Sequence, residues 1–257
     1  FTWKINLNLT HYKNKITYLP DEKKTTVMDG HGGYMNGSRY YGEDLPINTW
    51  YMKRFAGLSE DGLSLWYYTD KETNEEKTTT TYSTGDIYLC GDPNPDLYGG
   101  FGTSITFHGF DLSTQFSYLV GGLTYDYGYA GMMGNPTATS VGNRWHKDVL
   151  KAWSPENPSS TIPRWHFNDL NTTGSSDRFL IDGSYLNLQN IQVGYTLPDS
   201  WTSHLKIKNL RLYFVCDNVY YWSKRKGLDP RRSISGVGTS GKIAPFRTYS
   251  GGISLQF

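Results

Sequence analysis

Two stretches, one at each end of the chain, alternate apolar and polar side chains without a slip. Phe1, Trp3, Ile5, Leu7 and Leu9 interleave with Thr2, Lys4, Asn6, Asn8 and Thr10, and Tyr249, Gly251, Ile253, Leu255 and Phe257 interleave with Ser250, Gly252, Ser254 and Gln256. A period of two sends successive side chains to opposite faces of a strand, so each stretch has one greasy face and one wet face. Both have the length of about 9 to 11 residues that a tilted strand needs to cross a bilayer. No run of about 18 apolar residues exists anywhere, so a spanning helix is excluded.

Six further strands are expected between these ends, over residues 50–57, 63–69, 98–107, 110–121, 185–197 and 207–216. Leu112, Phe116, Tyr118 and Val120 oppose Asp111, Ser113, Gln115 and Ser117, while Leu210, Leu212 and Phe214 oppose Arg211 and Tyr213. Leu186 and Leu188 change phase to Ile191, Val193 and Tyr195, the signature of a bulge. The connections alternate long (11–49), short (59–62), long (70–97), short (108–109), long (122–184), short (198–206) and long (219–245). Up-and-down outer-membrane barrels join short periplasmic turns to long extracellular loops, whereas a soluble sandwich has no reason to alternate loop lengths. The expected fold class is therefore all-β, an antiparallel up-and-down transmembrane barrel, with residues 1–257 as one unit of about eight strands. Eight strands alone would leave two open edges, so further strands are expected upstream. Lys71–Asp86 is polar and low in complexity, and Gly236–Lys242 reads as a flexible connector.

Composition narrows the function classes. Aromatic residues make up 16% of the 257, with 21 Tyr and 8 Trp, against only 37% hydrophobic residues. That combination suits a sheet wetted on one face. A formal charge of +1 provides no field for nucleic acid, which is not an expected partner. Cys90 and Cys216 have no metal-ligand spacing, and their pairing is left open.

No catalytic constellation or metal set stands out, and neither an enzymatic activity nor a cofactor is expected. The six His residues are scattered; His108 falls in a two-residue turn, and His146 with Asp148 and His166 with Asp169 share one long loop. That loop is also rich in aromatics: Tyr125, Asp126, Tyr127, Tyr129, Trp145, Trp153 and Trp165 are candidate substrate contacts, because such rings stack on sugars or peptide side chains while their polar tips hydrogen-bond. Packing of the loop on itself, on a partner protein or at the membrane interface is the better account of any single one of them, but not of the cluster. Lys4, Asn6, Asn8, Asp111, Ser113, Gln115, Arg211, Ser254 and Gln256 are the candidate lumen lining, on the polar phase of their strands. Trp3, Trp50, Trp66, Tyr67 and Tyr195 are candidates for interfacial aromatic girdles.

Several segments resemble a family. GDPNPDLYGGFGTSITFHGFDLSTQFSYLVGG, SSDRFLIDGSYLNLQNIQVGYTLP, LRLYFVCDNVYYW, KGLDPR and PFRTYSGGISLQF are similar, in this order, to the late barrel strands of SusC/RagA-type TonB-linked outer-membrane proteins. The resemblance implies a 22-stranded barrel of which this chain supplies roughly the last third, and import of oligosaccharide or peptide across the outer membrane of a Gram-negative, Bacteroidetes-like cell. It further implies a SusD-like surface lipoprotein as lid, outer-membrane lipid as surroundings, and TonB as the energy source, acting through N-terminal barrel, plug and TonB-motif segments not found in these residues. Phe257 would be part of the signal for barrel assembly. A thiol at Cys216 departs from what such strands usually carry. The rival from another class is a soluble β-sandwich that binds carbohydrate through surface aromatics.

Overall fold

In a computed structural model of the protein, the described residues are 1–138, 142, 144–169, 171, 174–232, 236 and 245–257; of the expected flexible connector only Gly236 falls among them. The chain opens with β1 (Thr2–Thr10), then passes through eight short strands: β2 (Thr26–Met28), β3 (His31–Asn36), β4 (Arg39–Gly42), β5 (Thr49–Lys53), β6 (Phe55–Leu58), β7 (Ser64–Thr69), β8 (Glu76–Thr79) and β9 (Ile87–Leu89). Long strands β10 (Leu97–Phe107) and β11 (Phe110–Val120) follow, then the small pair β12 (Leu123–Tyr125) and β13 (Leu180–Asp182), and finally β14 (Tyr185–Thr196), β15 (Asn209–Ser223) and β16 (Thr248–Gln256).

One sheet of six antiparallel strands, ordered β1-β10-β11-β14-β15-β16, forms a continuous wall. β10 and β11 have 11 residues each, which at roughly 3.3 Å per residue gives about 36 Å, enough to cross an apolar band of about 25 Å at a tilt near 45°. They are joined by His108 and Gly109 alone, at φ 47° and 83°. A two-residue hairpin of this hand needs positive φ at both positions, which Gly109 adopts freely.

Register fixes the faces. Trp3, Ile5, Leu7 and Leu9 oppose Ile105, Thr103, Phe101 and Gly99, and the same face continues through Leu112, Phe116 and Tyr118 to Val193, Leu188 and Leu186, then to Phe214, Tyr220 and Trp222. The register shifts between Leu188 and Asn190, at the expected bulge. This apolar face is largely uncovered, with Ile5 64%, Phe214 48% and Ile253 66% exposed. Two of its polar side chains are satisfied within the sheet: Trp3 Nε1 donates to Thr103 Oγ1 at 2.8 Å, and Thr103 Oγ1 donates to the Lys4 carbonyl at 3.2 Å. That is what a hydrocarbon surrounding demands of every donor.

The wall contains six strands rather than the expected eight. Residues 50–57 and 63–69 are indeed extended, but they belong to a five-stranded sheet (β2-β3-β4-β5-β9) and a three-stranded sheet (β6-β7-β8) inside the long connection 11–96. Their strands are four to six residues long, and Trp50 and Trp66 are fully buried, leaving no free apolar face to meet lipid. For the same reason Trp50 and Trp66, with Tyr67 on β7, do not join a membrane girdle; Trp3 and Tyr195 do lie on the apolar face. With six strands the connections run 11–96, 108–109, 121–184, 197–208 and 224–247, and long still alternates with short. Both thiols are free: Cys90 lies beside the loop core and Cys216 in the wall.

The core sits in the loops. Trp50, Met52, Tyr125, Met133 and Phe179 form one buried cluster that draws from both long connections. The two interlock through Phe55 N–H donating to Asp177 Oδ1 at 2.8 Å and Arg164 N–H donating to the Gly62 carbonyl at 2.8 Å, and Gly62 makes room for the Trp153 ring. Together they build a globular cap over one end of the wall.

Candidate binding surface at the mouth of the wall

All nine residues expected to line a lumen fall on the polar face. Lys4, Asn6 and Asn8 oppose Ser104, Gly102 and Gly100, which oppose Ser113, Gln115 and Ser117; Ser254 opposes Arg211, and Gln256 opposes Asn209. Glycines on this face let their neighbours lie flat. A Cβ at Gly102 would strike Gln115 and Asn6, and one at Gly194 would strike both Arg211 and Asp111. Across that gap Arg211 Nε and Nη2 donate to the two Asp111 oxygens at 2.9 and 2.6 Å, a bidentate fork between β15 and β11. Sequence reasoning missed Asn187 and Asn190 on the same face; Asn190 donates to Asp217 at 2.6 Å. The phase change at Gln189, carried through, would have placed them.

The aromatic loop residues divide in the cap. Tyr125 is 4% exposed and packs against Trp50 at 5.8 Å and Phe179 at 6.1 Å, so it serves the core instead of a surface, which corrects the expectation for it. Asp126, also buried, caps the short helix α1 (Tyr127–Met132) by accepting from Tyr129 N–H at 3.0 Å, and receives Arg225 Nε from the third long connection at 2.5 Å. It too is withdrawn from any ligand by its own partners. Tyr129 carries the Arg225 guanidinium over its ring at 4.6 Å and donates its hydroxyl to Asp148 at 3.0 Å. Burial raises the Tyr129 phenol; Asp148, despite burial, is held below its ordinary value by Tyr129, His146 and Lys151. His146 and Asp148 do meet, at 3.2 Å, where they begin a 3-10 turn.

Trp145 and Trp165 cross edge to face at 5.6 Å and both donate to the Gly134 carbonyl, at 3.1 and 3.3 Å. Trp153 is spent on Gly62. Of the seven candidates, Tyr127 and Trp165 keep substantial exposure, at 37% and 41%. A separate cavity of about 290 Å³ is lined by Asp126, Gly128, Met132, His146 and Arg225, together with residues 226–229 of the third long connection.

The segment KGLDPR reaches from the cap onto the polar face. Asp229 holds Arg231 Nε and Nη2 at 2.8 Å each, and Arg231 Nη1 donates to Asn187 Oδ1 of β14 at 2.6 Å while the guanidinium covers the Tyr221 ring at 4.5 Å. Leu228, Asp229 and Pro230 are buried there. This turn pins the third connection across the mouth of the wall.

An all-antiparallel sheet, apolar and open on one face, polar on the other, and capped by long loops at one end only, defines a stretch of outer-membrane β-barrel wall. No family model matches the sequence. Its likeness among curated proteins is to TonB-dependent receptors: 28% identity over 287 residues with TonB-dependent receptor P3 of Formosa agariphila, covering 100% of this chain and 27% of the relative, and 26% over 268 residues with TonB-dependent receptor SusC of Bacteroides thetaiotaomicron, covering 100% and 24%. Among solved structures, the RagAB peptide transporter superposes with a TM-score of 0.78 at 24% identity over 99% of this chain and 27% of that one, and the RagAB peptide importer in the open-open state with 0.76 at 23%. These superpositions show the barrel fold. The chain is thus SusC/RagA-like, and it spans about a quarter of the length of the relatives it matches.

Proposed function

We propose that this chain forms part of the wall and the extracellular mouth of an outer-membrane, TonB-dependent nutrient importer. The observation that carries the reading is the inverted partition of the six-stranded sheet. Its apolar side chains point to the uncovered face, and its polar side chains oppose one another across glycine gaps on the other. A soluble sandwich would cover the apolar face with a second sheet, and none lies over it among the described residues. On this reading Ile5, Phe214 and Ile253 meet lipid, while Lys4, Asn6, Asn8, Asp111, Ser113, Gln115, Arg211, Ser254 and Gln256 line the lumen.

The chain catalyses no reaction in this role. Plug and TonB-contacting segments are supplied by the remainder of a longer receptor, a SusD-like lipoprotein covers the cap, and the cargo is an oligosaccharide or a peptide. Tyr127, Tyr129, Trp145 and Trp165 are the cap residues offered to cargo or lid, and Phe257 closes the strand that the assembly machinery reads. Expression of the full-length receptor in a Gram-negative host tests this directly. It is expected in the outer-membrane fraction as a heat-modifiable band, and uptake should disappear in a strain without TonB. A protein that is monodisperse and folded in detergent-free buffer overturns the reading.

A further inference from the structure

At the top of the polar face, Tyr98, Leu119 and Tyr185 stand side by side in register on β10, β11 and β14. The cap closes over them with Pro93, Pro95 and Pro230, and the space left is a cavity of about 380 Å³. That volume is of the size that holds a small molecule or one large side chain. Its strand residues stand one rung above Gly100, Ser117 and Asn187, so it adjoins the surface read above as the lumen.

Prolines, Leu119 and tyrosine rings dominate the lining, and its one charged group among the described residues is already engaged. The Arg231 guanidinium is shared out among Asp229, Asn187 and the Tyr221 ring. Thr124 is 6% exposed. A sugar ring seated here would turn hydroxyls against Pro93, Pro95, Leu119 and Pro230, whose side chains carry no polar atom, a cost that disfavours it. Flat proline and tyrosine surfaces instead match apolar side chains on an extended backbone, the pairing that aromatic-lined grooves use for peptides.

We infer that this cavity is a side-chain subsite for peptide cargo, taking an aromatic or other large apolar residue as the peptide enters the lumen. The inference rests on the importer reading and deepens it by favouring peptide over glycan. Leu119 sets the floor of the subsite, and its size should set the preference. The test uses the full-length receptor in detergent, titrated calorimetrically with glycine-flanked peptides that differ only in a central Phe, Trp or Ser, and with maltotriose.

The expected result is binding of the Phe peptide at least about tenfold tighter than the Ser peptide, with no measurable binding of maltotriose. Leu119→Trp, which fills the cavity, should abolish the Phe preference. Leu119→Ala, which enlarges it and leaves the strand register untouched, should move the preference from Phe to Trp. Heat-modifiability on gels confirms that each variant folds, and if Leu119→Trp does not fold, the Leu119→Ala preference decides alone. Maltotriose binding in place of peptide, equal binding of the Phe and Ser peptides, or indifference to Leu119→Ala overturns the subsite. TonB-dependent uptake that persists in either case leaves the importer reading standing, so the two failures are separable.

Discussion

Wall and cap are built from the same kinds of residue with opposite partition. In the wall, Trp3, Ile5, Leu7 and Leu9 point away from the chain's own polar face and lie 60% or more exposed; in the cap, Trp50, Trp66, Met52 and Phe179 are 5% exposed or less. Burial of apolar surface is what stabilises the cap, and it should behave as a water-soluble domain does. The wall gains nothing of this kind from its own fold. Its stability comes from the ladder of backbone hydrogen bonds and from lipid around it. A mutation is therefore read differently on either side of the boundary near residues 97 and 120.

The largest expected separation comes from Trp50→Ala in the full-length receptor. Losing a fully buried indole that also donates to the Leu123 carbonyl at 3.1 Å and carries Arg39 over its ring should cost about 3–5 kcal/mol. The cap should open to protease added outside intact cells, and a thiol reagent should now reach Cys90, whose pKa burial pushes up to about 11 in the native cap. The heat-modifiable barrel band should remain; its loss would show that wall and cap fold as one unit. Next in size is a pair of neighbours on β14. Ile191→Arg faces hydrocarbon and should cost about 2–4 kcal/mol in urea titrations in lipid vesicles, whereas Gln192→Arg, on the polar face, should cost far less. Equal costs would contradict the assignment of faces. Smaller again, Gly194→Ala should cost about 1 kcal/mol by crowding the Asp111–Arg211 fork, and Arg211→Ala should relieve that cost in a double-mutant cycle.

The smallest effect concerns pH. Burial raises the Asp177 carboxyl above its ordinary value, although Phe55 N–H and Arg54 oppose the rise. The folded cap thus binds this proton more tightly than the unfolded chain does. Its contribution is complete below the ordinary carboxylate range and fades as pH rises through the raised value. Asp177→Asn keeps the acceptor for Phe55 and should raise the cap's melting temperature slightly near neutrality while leaving it unchanged below the ordinary carboxylate range, so that the acid limb becomes steeper. An unchanged acid limb would remove Asp177 from the account.

Much of the wall was legible because its signal is local. Strict alternation located β1 and β16, a two-residue connection located the hairpin at His108 and Gly109, and the broken phase at Gln189 located the bulge. What alternation does not reveal is what covers a face. Trp50 to Gly57 and Leu63 to Thr69 are as apolar and aromatic as the wall, and it takes their pairing with β4, β8 and β9, and Tyr125 and Phe179 from far along the chain against Trp50, to decide that they turn inward. The aromatic loop was harder for the same reason: Tyr125 and Tyr127 are two residues apart, yet one is sealed against Trp50 and the other is open. Arg231 was passed over within a motif noted for its resemblance, although an arginine two residues after an aspartate, separated by proline, is placed to fold back on it as it does here.

The glycines of the polar face have a consequence for traffic. With no Cβ at positions 102, 194 and 252, the side chains of Gln115, Arg211 and Tyr213 recline along the sheet instead of standing up from it. On the importer reading proposed above, a lumen lined in this way would be smoother than its strands alone make it, and its polar groups, held to one another, would grip passing solutes weakly. Such a surface would sort by girth more than by chemistry and leave discrimination to the mouth above it.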